Sequence, residues 1–529
     1  MDQADRADRT ERRTEATHPT GTAGKLPPPE DARARRHDLT AAALAALLVT
    51  AAILIGRYVQ NRTGTLHAQW PPLLASWDPH LGPGTPAALT MAVLVIAYGP
   101  PLAARLPWRG LLAAAWAGST VWVFSMALID GWYRGVERRL TTKHEYLRVI
   151  DRFDDIPATL RDFTDHILFG EPGNWPAHVA GHPPGATLTF VWLDRIGLGG
   201  GAWAAVWCVV VGSSAVLAAL ITVRVLAGEQ LARRAAPFLV LAPAAVWAGV
   251  SADGYFAAVT AWSVALLALA ATRRVRFPAA AAVGGGLLFG WTCYLSYGLG
   301  LMAAVLLAVL GLARTARPVV PFLLGALVVP AAFTLAGFHW WTAYHLLVER
   351  YYQGAGGVRP YAYWVWANLA CAVLAAGLAA VAGVRRSASY APGAVRALRT
   401  GTPAPRTGDT APHTGDTAPG TGTPALPAGD TAATAPDSAT APGPAAAPDS
   451  AAAPVPAQRL ALLVLAALVA LLAADLSGMS KAETERIWQP FLLWLLPAAA
   501  LLPARTARYW LVASVAPALL INHLLWTGW

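Results

Sequence analysis

Acidic and imidazole side chains are concentrated in one long segment of the chain, residues 132–201. Near its start, Glu145 follows a short polar run after an apolar block, which would hold its carboxylate just above a membrane surface. A carboxylate that lipid and protein partly desolvate can act as a general base. The alternative is an ordinary solvated loop acid, and both interpretations stay open at this point.

The same segment contains residue types that can bind metal ions. Asp154 and Asp155, with Asp151 nearby, offer the hard oxygen ligands that suit Mg²⁺ or Mn²⁺, so a divalent cation is possible here. Their spacing is not specific for a metal, and solvated helix charges are the simpler interpretation. His178 and His182 are four residues apart, but the prolines that follow argue against a helix-borne zinc pair.

The run His182-Pro183-Pro184-Gly185 is more informative about structure. Two prolines and a glycine fix a rigid bend in the backbone. Because this bend precedes a short apolar stretch, it would hold His182 at the membrane interface, facing the rest of the loop.

Ionisable residues also occur far away in the sequence. Residues 476–487 include Lys481, Glu485 and Arg486 close to the end of an apolar block, whereas a loop that only connects two helices would need few charges. Asp253 stands alone at a tight turn between two apolar blocks, where an acid is often only a turn residue. We expect it to lie near the same cavity as the long loop.

The elements that must position these residues are transmembrane helices. The chain has 529 residues, 56% of them hydrophobic and 13% charged, with a mean hydropathy of +0.44. Soluble domains carry roughly a quarter charged residues. The apolar residues form blocks of about 17 to 25, the length that crosses a bilayer as an α-helix. We predict an all-α integral membrane protein with about thirteen spans, near residues 38–57, 87–105, 110–131, 202–225, 236–252, 255–272, 278–294, 297–313, 318–337, 362–384, 459–475, 488–504 and 509–527.

Arginine placement predicts the orientation of these spans. The net charge of +10 comes from arginines at the ends of apolar blocks, as in inward-facing loops of membrane proteins, which argues against nucleic acid as a partner. With the N-terminus in the cytoplasm, every arginine cluster falls on the cytoplasmic side, provided that residues 186–199 form a short non-spanning helix. The prediction is a multi-pass protein of the cytoplasmic membrane, with residues 132–201 and the C-terminus outside the cytoplasm.

Composition divides the chain into four parts. Residues 1–37 are polar and charged, which predicts a disordered cytoplasmic tail. Residues 38–386 form the main transmembrane region. Residues 387–457 are rich in Ala, Pro, Thr, Gly and Asp and repeat the unit TGDTAP, which predicts a disordered cytoplasmic linker. Residues 458–529 hold the last transmembrane helices.

This pattern resembles the GT-C superfamily of membrane glycosyltransferases, which includes the protein mannosyltransferases and the aminoarabinose transferases. The tripeptide HEY at residues 144–146 stands where that family has an acidic motif, near the start of a large outer loop. The HPPG run at 182–185 stands where the loop closes with a K/H-P-P motif. A basic helix end at 233–234, followed by an acidic turn at Asp253, also fits. The family motif is usually Asp-based and often paired, and better-known members have one span before the loop, where this chain has three.

The resemblance implies a polyprenyl-phosphate-linked sugar as donor and an inverting transfer at the extracytoplasmic face. In that role Glu145 would be the catalytic base, unless a nearby aspartate takes its place. The groups that would then bind the substrate or its phosphate are His144, His182, Asp253, Lys481, Glu485 and Arg486.

Two other classes of protein are alternatives. A transporter or lipid flippase usually carries ionisable residues at mid-membrane and broken helices in repeated halves. A non-catalytic scaffold would explain a long linker but not crowded charged loops. The classes differ in one geometric respect, because an enzyme needs Glu145, His182 and the pair Glu485–Arg486 to converge on one outward cavity.

Overall fold

The computed structural model describes residues 29–400 and 455–527, and these residues are almost entirely helical. Within them, seven helices are long and apolar enough to cross a bilayer, or up to ten if each of three bent helix pairs is one span. The predicted all-α membrane architecture is therefore confirmed.

The described part of the first half of the chain forms eleven helices, from α1 to the central helix α11. They are α1 (Pro29–Thr63), α2 (Thr85–Arg105), α3 (Trp108–Ala127), α4 (Ile156–Arg161), α5 (Ala177–Ala180), α6 (Gly185–Arg195), α7 (Gly200–Ser213), α8 (Ala215–Ala227), α9 (Glu229–Val240), α10 (Ala245–Ala248) and α11 (Ala252–Ala271).

The helices of the second half include the three bent pairs. They are α12 (Pro278–Leu295), α13 (Ala303–Ala313), α14 (Val319–Leu335), α15 (Trp340–Gln353), α16 (Ala355–Val358), α17 (Tyr361–Ala376), α18 (Leu378–Thr400), α19 (Val455–Leu476), α20 (Thr484–Ile487), α21 (Gln489–Leu492) and α22 (Ala507–Leu524). Short 3₁₀ segments lie at Leu128–Asp130, Arg139–Thr141, Tyr146–Phe153, Phe163–His166, Tyr297–Met302, Leu496–Leu501 and Ala504–Thr506, and a π-helical turn at Tyr133–Glu137. Two-residue strands β1 (Ser76–Trp77) and β2 (Leu525–Trp526) pair antiparallel.

Among the described residues, seven to ten helices qualify as candidate spans, fewer than the thirteen predicted apolar blocks, because several blocks form broken or bent helices and hydropathy does not measure helix continuity. The apolar block at 236–252 is divided between the end of α9 and the four-residue α10, with Pro243 in the interruption. The block at 297–313 begins as a 3₁₀ segment and forms only a shorter apolar helix. The blocks at 488–504 and 509–527 belong to one helix pair bent by 113°. These three differences separate the thirteen predicted blocks from the ten candidate spans.

A glycine makes one of the sharp bends possible. Helices α17 and α18 meet at 109°, and Gly377 between them has φ +81°. That left-handed conformation is unfavourable for other residues. The first turn of α18 then receives a partner from another helix, because the Ala379 N–H donates to Ser514 Oγ at 3.1 Å. The corner is thus stabilised by backbone geometry and by α22 together.

The domain boundaries differ from the sequence prediction where the structure describes them. Helix α1 begins at Pro29, inside the predicted tail, and α18 continues to Thr400, past the predicted start of the linker. Residues 1–28 and 401–454, which make up the rest of the predicted tail and nearly all of the rest of the predicted linker, lie outside the described residues.

Arginines from separate helices meet at one end of the bundle. Arg386 binds Asp38 through Oδ2 at 2.6 Å and donates to the Leu501 carbonyl at 3.2 Å. Arg234 donates to the next carbonyl, that of Leu502. We call this end the arginine face.

The opposite end, which we call the loop face, carries residues 131–199, residues 476–487 and the paired strands. Helix α11 begins at the loop face with Ala252 and ends at the arginine face with Ala271, and it packs against α7, α8, α12 and α13. The beginning of α1 and strand β2 therefore lie at opposite faces, as the topology prediction requires. Which compartment each face meets stays a prediction.

Candidate functional site

The site is built around the carboxylate of Glu145, which is buried with 4% of its surface exposed. Its Oε1 lies 3.0 Å from Nδ1 of His178, on the short helix α5. The backbone supports this approach, because the His178 N–H donates to the carbonyl oxygen of His144 at 3.0 Å. The loop therefore folds back on itself and brings its first acidic residue against an imidazole.

The row of charges continues from His178 to Arg486. The guanidinium Nη2 of Arg486 lies 3.3 Å from Nε2 of His178 and 3.0 Å from Oε2 of Glu483. Because arginine only donates, Nε2 accepts in this contact, and the ring proton is left on Nδ1, which faces Glu145. The imidazole thus connects a carboxylate to a guanidinium in the tautomer that suits both.

Asp253 completes the row on the other side of the guanidinium. Its Oδ2 lies 3.5 Å from Nε of Arg486. Ser251 caps α11, because its hydroxyl accepts the Asp253 N–H at 3.1 Å and donates to Oδ2 at 2.9 Å. A carboxylate in the first turn is also favoured by the helix dipole. Asp253 is therefore held by its own helix end and directed at Arg486.

These acids determine the charge of the central guanidinium. Burial alone would lower the pKa of Arg486, but Asp253, Glu483 and Glu145 raise it above its ordinary value. Arg486 is 7% exposed, so its positive charge acts where water screens it little. The row Glu145–His178–Arg486–Asp253, which we call the charge row, joins the long loop, the start of α11 and the segment after α19.

His182 lies beside the charge row but carries no charge in it. Its Nδ1 lies 2.7 Å from the His178 carbonyl oxygen, and its ring contacts Tyr146 and Phe256 at centroid distances of 5.7 and 5.8 Å. Burial lowers the pKa of His182 to about 4. The ring is therefore neutral near pH 7, with Nδ1–H used by the backbone and Nε2 left as an acceptor, so Arg486 is the better partner for a phosphate.

The segment that carries Arg486 has a constrained backbone. Ala482 and Glu483 both adopt left-handed conformations, with φ of 77° and 62°, which are unfavourable for residues other than glycine. Asn368 on α17 stabilises this turn by donating to the Ser480 carbonyl at 2.6 Å and accepting the Ala482 N–H at 3.4 Å. The strain is thus located next to the charge row.

Lys481 points away from the charge row. Its ammonium donates to the Gly356 carbonyl at 2.7 Å, and burial lowers the pKa of Lys481. Arg359 takes part instead, because it donates to the Lys481 carbonyl at 2.7 Å and lies 3.9 Å from Oε1 of Glu483. The structure therefore places Arg359, and not the Lys481 side chain, behind Glu483.

Glu485 is fully buried on the other side of the segment. Neither carboxylate oxygen has a hydrogen bond of ordinary geometry among the described residues. Burial raises the pKa of Glu485 to about 7, and its own backbone N–H and the nearby Cys371 thiol oppose this rise only in part. Glu485 is close in sequence to the charge row but separate from its chain of contacts.

His144 lies at an open cavity of about 710 Å³ beside the charge row. Its imidazole is exposed, and partial burial together with His178 lowers the pKa of His144. Four other basic residues line the same cavity, namely His67, Arg138, Lys143 and Arg148, and none of the described lining residues is acidic. This cavity therefore suits an anionic molecule next to Glu145.

The two weak metal candidates have ordinary structural positions. Asp155 caps α4 by accepting the Ala158 N–H at 3.0 Å, and the Asp154 carbonyl accepts from Arg195. In the part of the chain that the structure describes, no group of three or more His, Cys, Asp and Glu residues could hold a metal ion.

Three residues of the site were not among the predicted site residues. His178 was considered only as half of a zinc pair, although its position four residues before His182 already placed it near the bend. Glu483 lay inside the charged run of 476–487, which could have identified it. Arg359 had no comparable signal, because its role depends on the fold of a distant segment.

No protein-family model and no curated protein sequence matches the chain. Among solved structures, the chain is similar to an Archaeoglobus fulgidus oligosaccharyltransferase in complex with zinc and sulfate, with a TM-score of 0.39 and 14% identity over 78% of this chain and 52% of that one. It is also similar to the oligosaccharyltransferase AglB of the same organism in complex with an inhibitory peptide and a dolichol-phosphate, with a TM-score of 0.41 and 12% identity over 79% and 56% of the two chains. The chain spans about half the length of these proteins. The name oligosaccharyltransferase belongs to the membrane glycosyltransferases that the sequence motifs resemble. Structural similarity at such a low TM-score and identity assigns neither a family nor an activity to this chain.

Proposed function

We propose that this protein is a GT-C-type glycosyltransferase that moves a sugar from a polyprenyl-phosphate donor to an acceptor at the extracytoplasmic face. The observation that supports this most strongly is the charge row, in which Glu145, His178, Arg486 and Asp253 converge from three separate parts of the chain. Buried ionisable groups that meet in this way at one end of a helix bundle are typical of an active site.

In this proposal Glu145 is the general base. It accepts the proton of the acceptor hydroxyl while that oxygen attacks the anomeric carbon and the bond from this carbon to the phosphate oxygen breaks. The polyprenyl phosphate leaves with the electron pair, and the configuration at the anomeric carbon is inverted. His178 orients the carboxylate, because its Nδ1 faces Oε1 and leaves Oε2 for the acceptor.

Arg486 stabilises the leaving phosphate. Negative charge develops on the phosphate oxygen in the transition state, and a buried guanidinium supports such a charge best in a water-poor site. Asp253 and Glu483 hold the guanidinium in place. The basic cavity at His144 would receive the anionic part of the donor or acceptor.

The orientation of the site is part of the proposal. Arginines gather at the face opposite the charge row, and an excess of arginine is typical of cytoplasmic loops. The charge row would then lie outside the cytoplasm, where lipid-linked sugars serve as donors because nucleotide sugars are absent.

A lipid transporter is the second candidate, and the three bent helix pairs favour it. The charge row lies at the N-terminal end of α11 and not at its middle. Ionisable groups at the end of a helix, and not at mid-membrane, favour an enzyme over a transporter. A transporter would move the lipid-linked sugar without releasing its lipid phosphate, so the two candidates differ in their products.

The experiment tests Glu145→Gln against Glu171→Gln, an exposed acid of the same loop that serves as the matched control. Membranes that contain each variant receive a panel of polyprenyl-phosphate hexoses and pentoses, labelled in the sugar, and release of the polyprenyl phosphate is followed. We expect Glu145→Gln to reduce the rate roughly 100- to 10,000-fold, with unchanged amounts of protein in the membrane and an unchanged rate for Glu171→Gln.

Two results would count against the proposal in different ways. If Glu145→Gln keeps the wild-type rate, Glu145 is not the base. If the wild-type protein releases no lipid phosphate from any donor but moves the donor across the bilayer, the transferase is the wrong class.

A further inference from the structure

A second cavity lies on the arginine face, far from the charge row. It has a volume of about 560 Å³ and sits between the turn after α11 and the turn after α13. Arg273, Arg314 and Arg317 line it, and none of the described residues that line it is acidic. We call it the arginine cavity.

Two of these arginines occupy backbone positions that normally favour glycine. Arg273 has φ 54° two residues after the end of α11, and Arg314 has φ 49° directly after the end of α13. Glycine is the usual residue at such a position, since it adopts the left-handed conformation without strain. The chain thus carries arginine twice where the backbone alone would favour glycine, which points to a use for the side chains.

The positive charge of the cavity comes from its arginine side chains. Helices α12 and α14 begin at this cavity and pack closely, because Gly286 and Gly325 allow their backbones to approach. The positive ends of these two helix dipoles are offset by the negative ends of α11 and α13 at the same place, so the arginines decide the sign. Arg459 on α19 is also within electrostatic range of Arg314.

The surface next to the cavity is apolar. Helix α14 begins directly after the cavity-lining Pro318, and its exposed side chains, from Val320 onwards, follow helical spacing towards the middle of the bundle. They are Val320, Leu323, Leu324, Leu327 and Val328, each with more than half of its surface exposed. A molecule with a phosphate in the arginine cavity and acyl chains along α14 would match both surfaces.

We propose that the arginine cavity binds the phosphate of an anionic lipid headgroup, with its acyl chains packed on α14. Basic pockets between transmembrane helices recognise phosphate headgroups by charge and hydrogen bonds. The binding site is independent of sugar transfer at the loop face. Inorganic phosphate shares the headgroup chemistry but lacks the chains, so the two sources are distinguishable.

The test uses the purified full-length protein in a neutral detergent. Thermal unfolding and native mass spectrometry follow the addition of phosphatidylglycerol, of phosphatidylcholine with the same acyl chains, and of inorganic phosphate. The variant is Arg273→Gly with Arg314→Gly, in which glycine fits the left-handed backbone and preserves the fold. The control is Arg274→Ala with Arg276→Ala, which removes the same charge from nearby positions that do not line the cavity.

We expect phosphatidylglycerol to raise the melting temperature of the wild-type protein and of the control, and phosphatidylcholine to have little effect. The glycine variant should bind phosphatidylglycerol about tenfold more weakly or worse. Equal phosphatidylglycerol binding by the wild-type protein and the glycine variant would overturn the proposal. A response to inorganic phosphate as large as that to phosphatidylglycerol would show a simple anion site and overturn the lipid assignment.

Discussion

Replacing the buried Glu485 should change how the stability of the protein depends on pH. Its carboxyl group is fully buried, and neither oxygen has a hydrogen bond of ordinary geometry among the described residues. Burial raises the pKa of Glu485 from 4.5 to about 7. The folded protein therefore holds a proton that the unfolded chain releases over most of that range.

The sign and the size follow from this difference. Below pH 4.5 both states are protonated, and Glu485 has no ionisation penalty. As the pH rises from 4.5 to 7, the unfolded chain gains by ionising while the folded protein does not, so the free energy of unfolding falls. Each pKa unit is worth about 1.4 kcal/mol, so the shift of the Glu485 pKa from 4.5 to about 7 corresponds to about 3 kcal/mol, and above about pH 7 Glu485 adds no further pH dependence to the free energy of unfolding.

Glu485→Gln should remove this slope, and Glu485→Met should do the same without adding amide donors to a buried place. The measurement is the free energy of unfolding in detergent at several pH values between 4 and 8, with Glu171→Gln as an exposed control. Differences from the wild type cancel the contribution of other groups, including His182. A difference between Glu485→Gln and the wild type that stays constant from pH 4.5 to 8 would refute the reasoning.

Two further substitutions test how the helices are held together. Asp38→Asn should lower the free energy of unfolding by about 3 kcal/mol, since Asp38 is 2% exposed and binds two arginines of α18. In unfolding assays, a loss below about 0.5 kcal/mol would contradict a structural role for these ion pairs. Gly286→Ala should lower it by roughly 2 kcal/mol, since the new Cβ would lie 1.9 Å from the Phe322 carbonyl oxygen. Gly284→Ala is the matched control, because its Cβ would meet only Leu266 at 3.6 Å and alanine favours a helix; equal effects of the two glycine substitutions would show that close packing of α12 and α14 is not the cause.

The sequence predicted the helical membrane architecture because apolar blocks of bilayer length have few other stable structures. It also predicted that Glu145 and Arg486 would share one face, since alternating spans return their loops to the same side. It did not predict where these blocks break or bend. Such breaks depend on single positions, for example Gly377, whose conformation a hydropathy window does not register.

Side-chain directions at the site were less predictable than its location. Lys481 and Arg486 were both predicted to bind the substrate or its phosphate, but the left-handed turn at Ala482 and Glu483 sends them to different partners. His178 carries the contact between Glu145 and Arg486, although spacing suggested only a metal pair. A sequence position gives the face of the protein on which a residue lies, while the local backbone determines what that residue touches.

The charge row has a consequence for the order in which the protein matures. A ribosome makes Glu145, His178 and Asp253 long before it makes Arg486, which follows α19. Until then the two carboxylates have no guanidinium between them, and burying them would be strongly unfavourable. The long loop can close only when the last helices have been inserted, so a nascent or truncated chain holds an acid and an imidazole but no complete charge row.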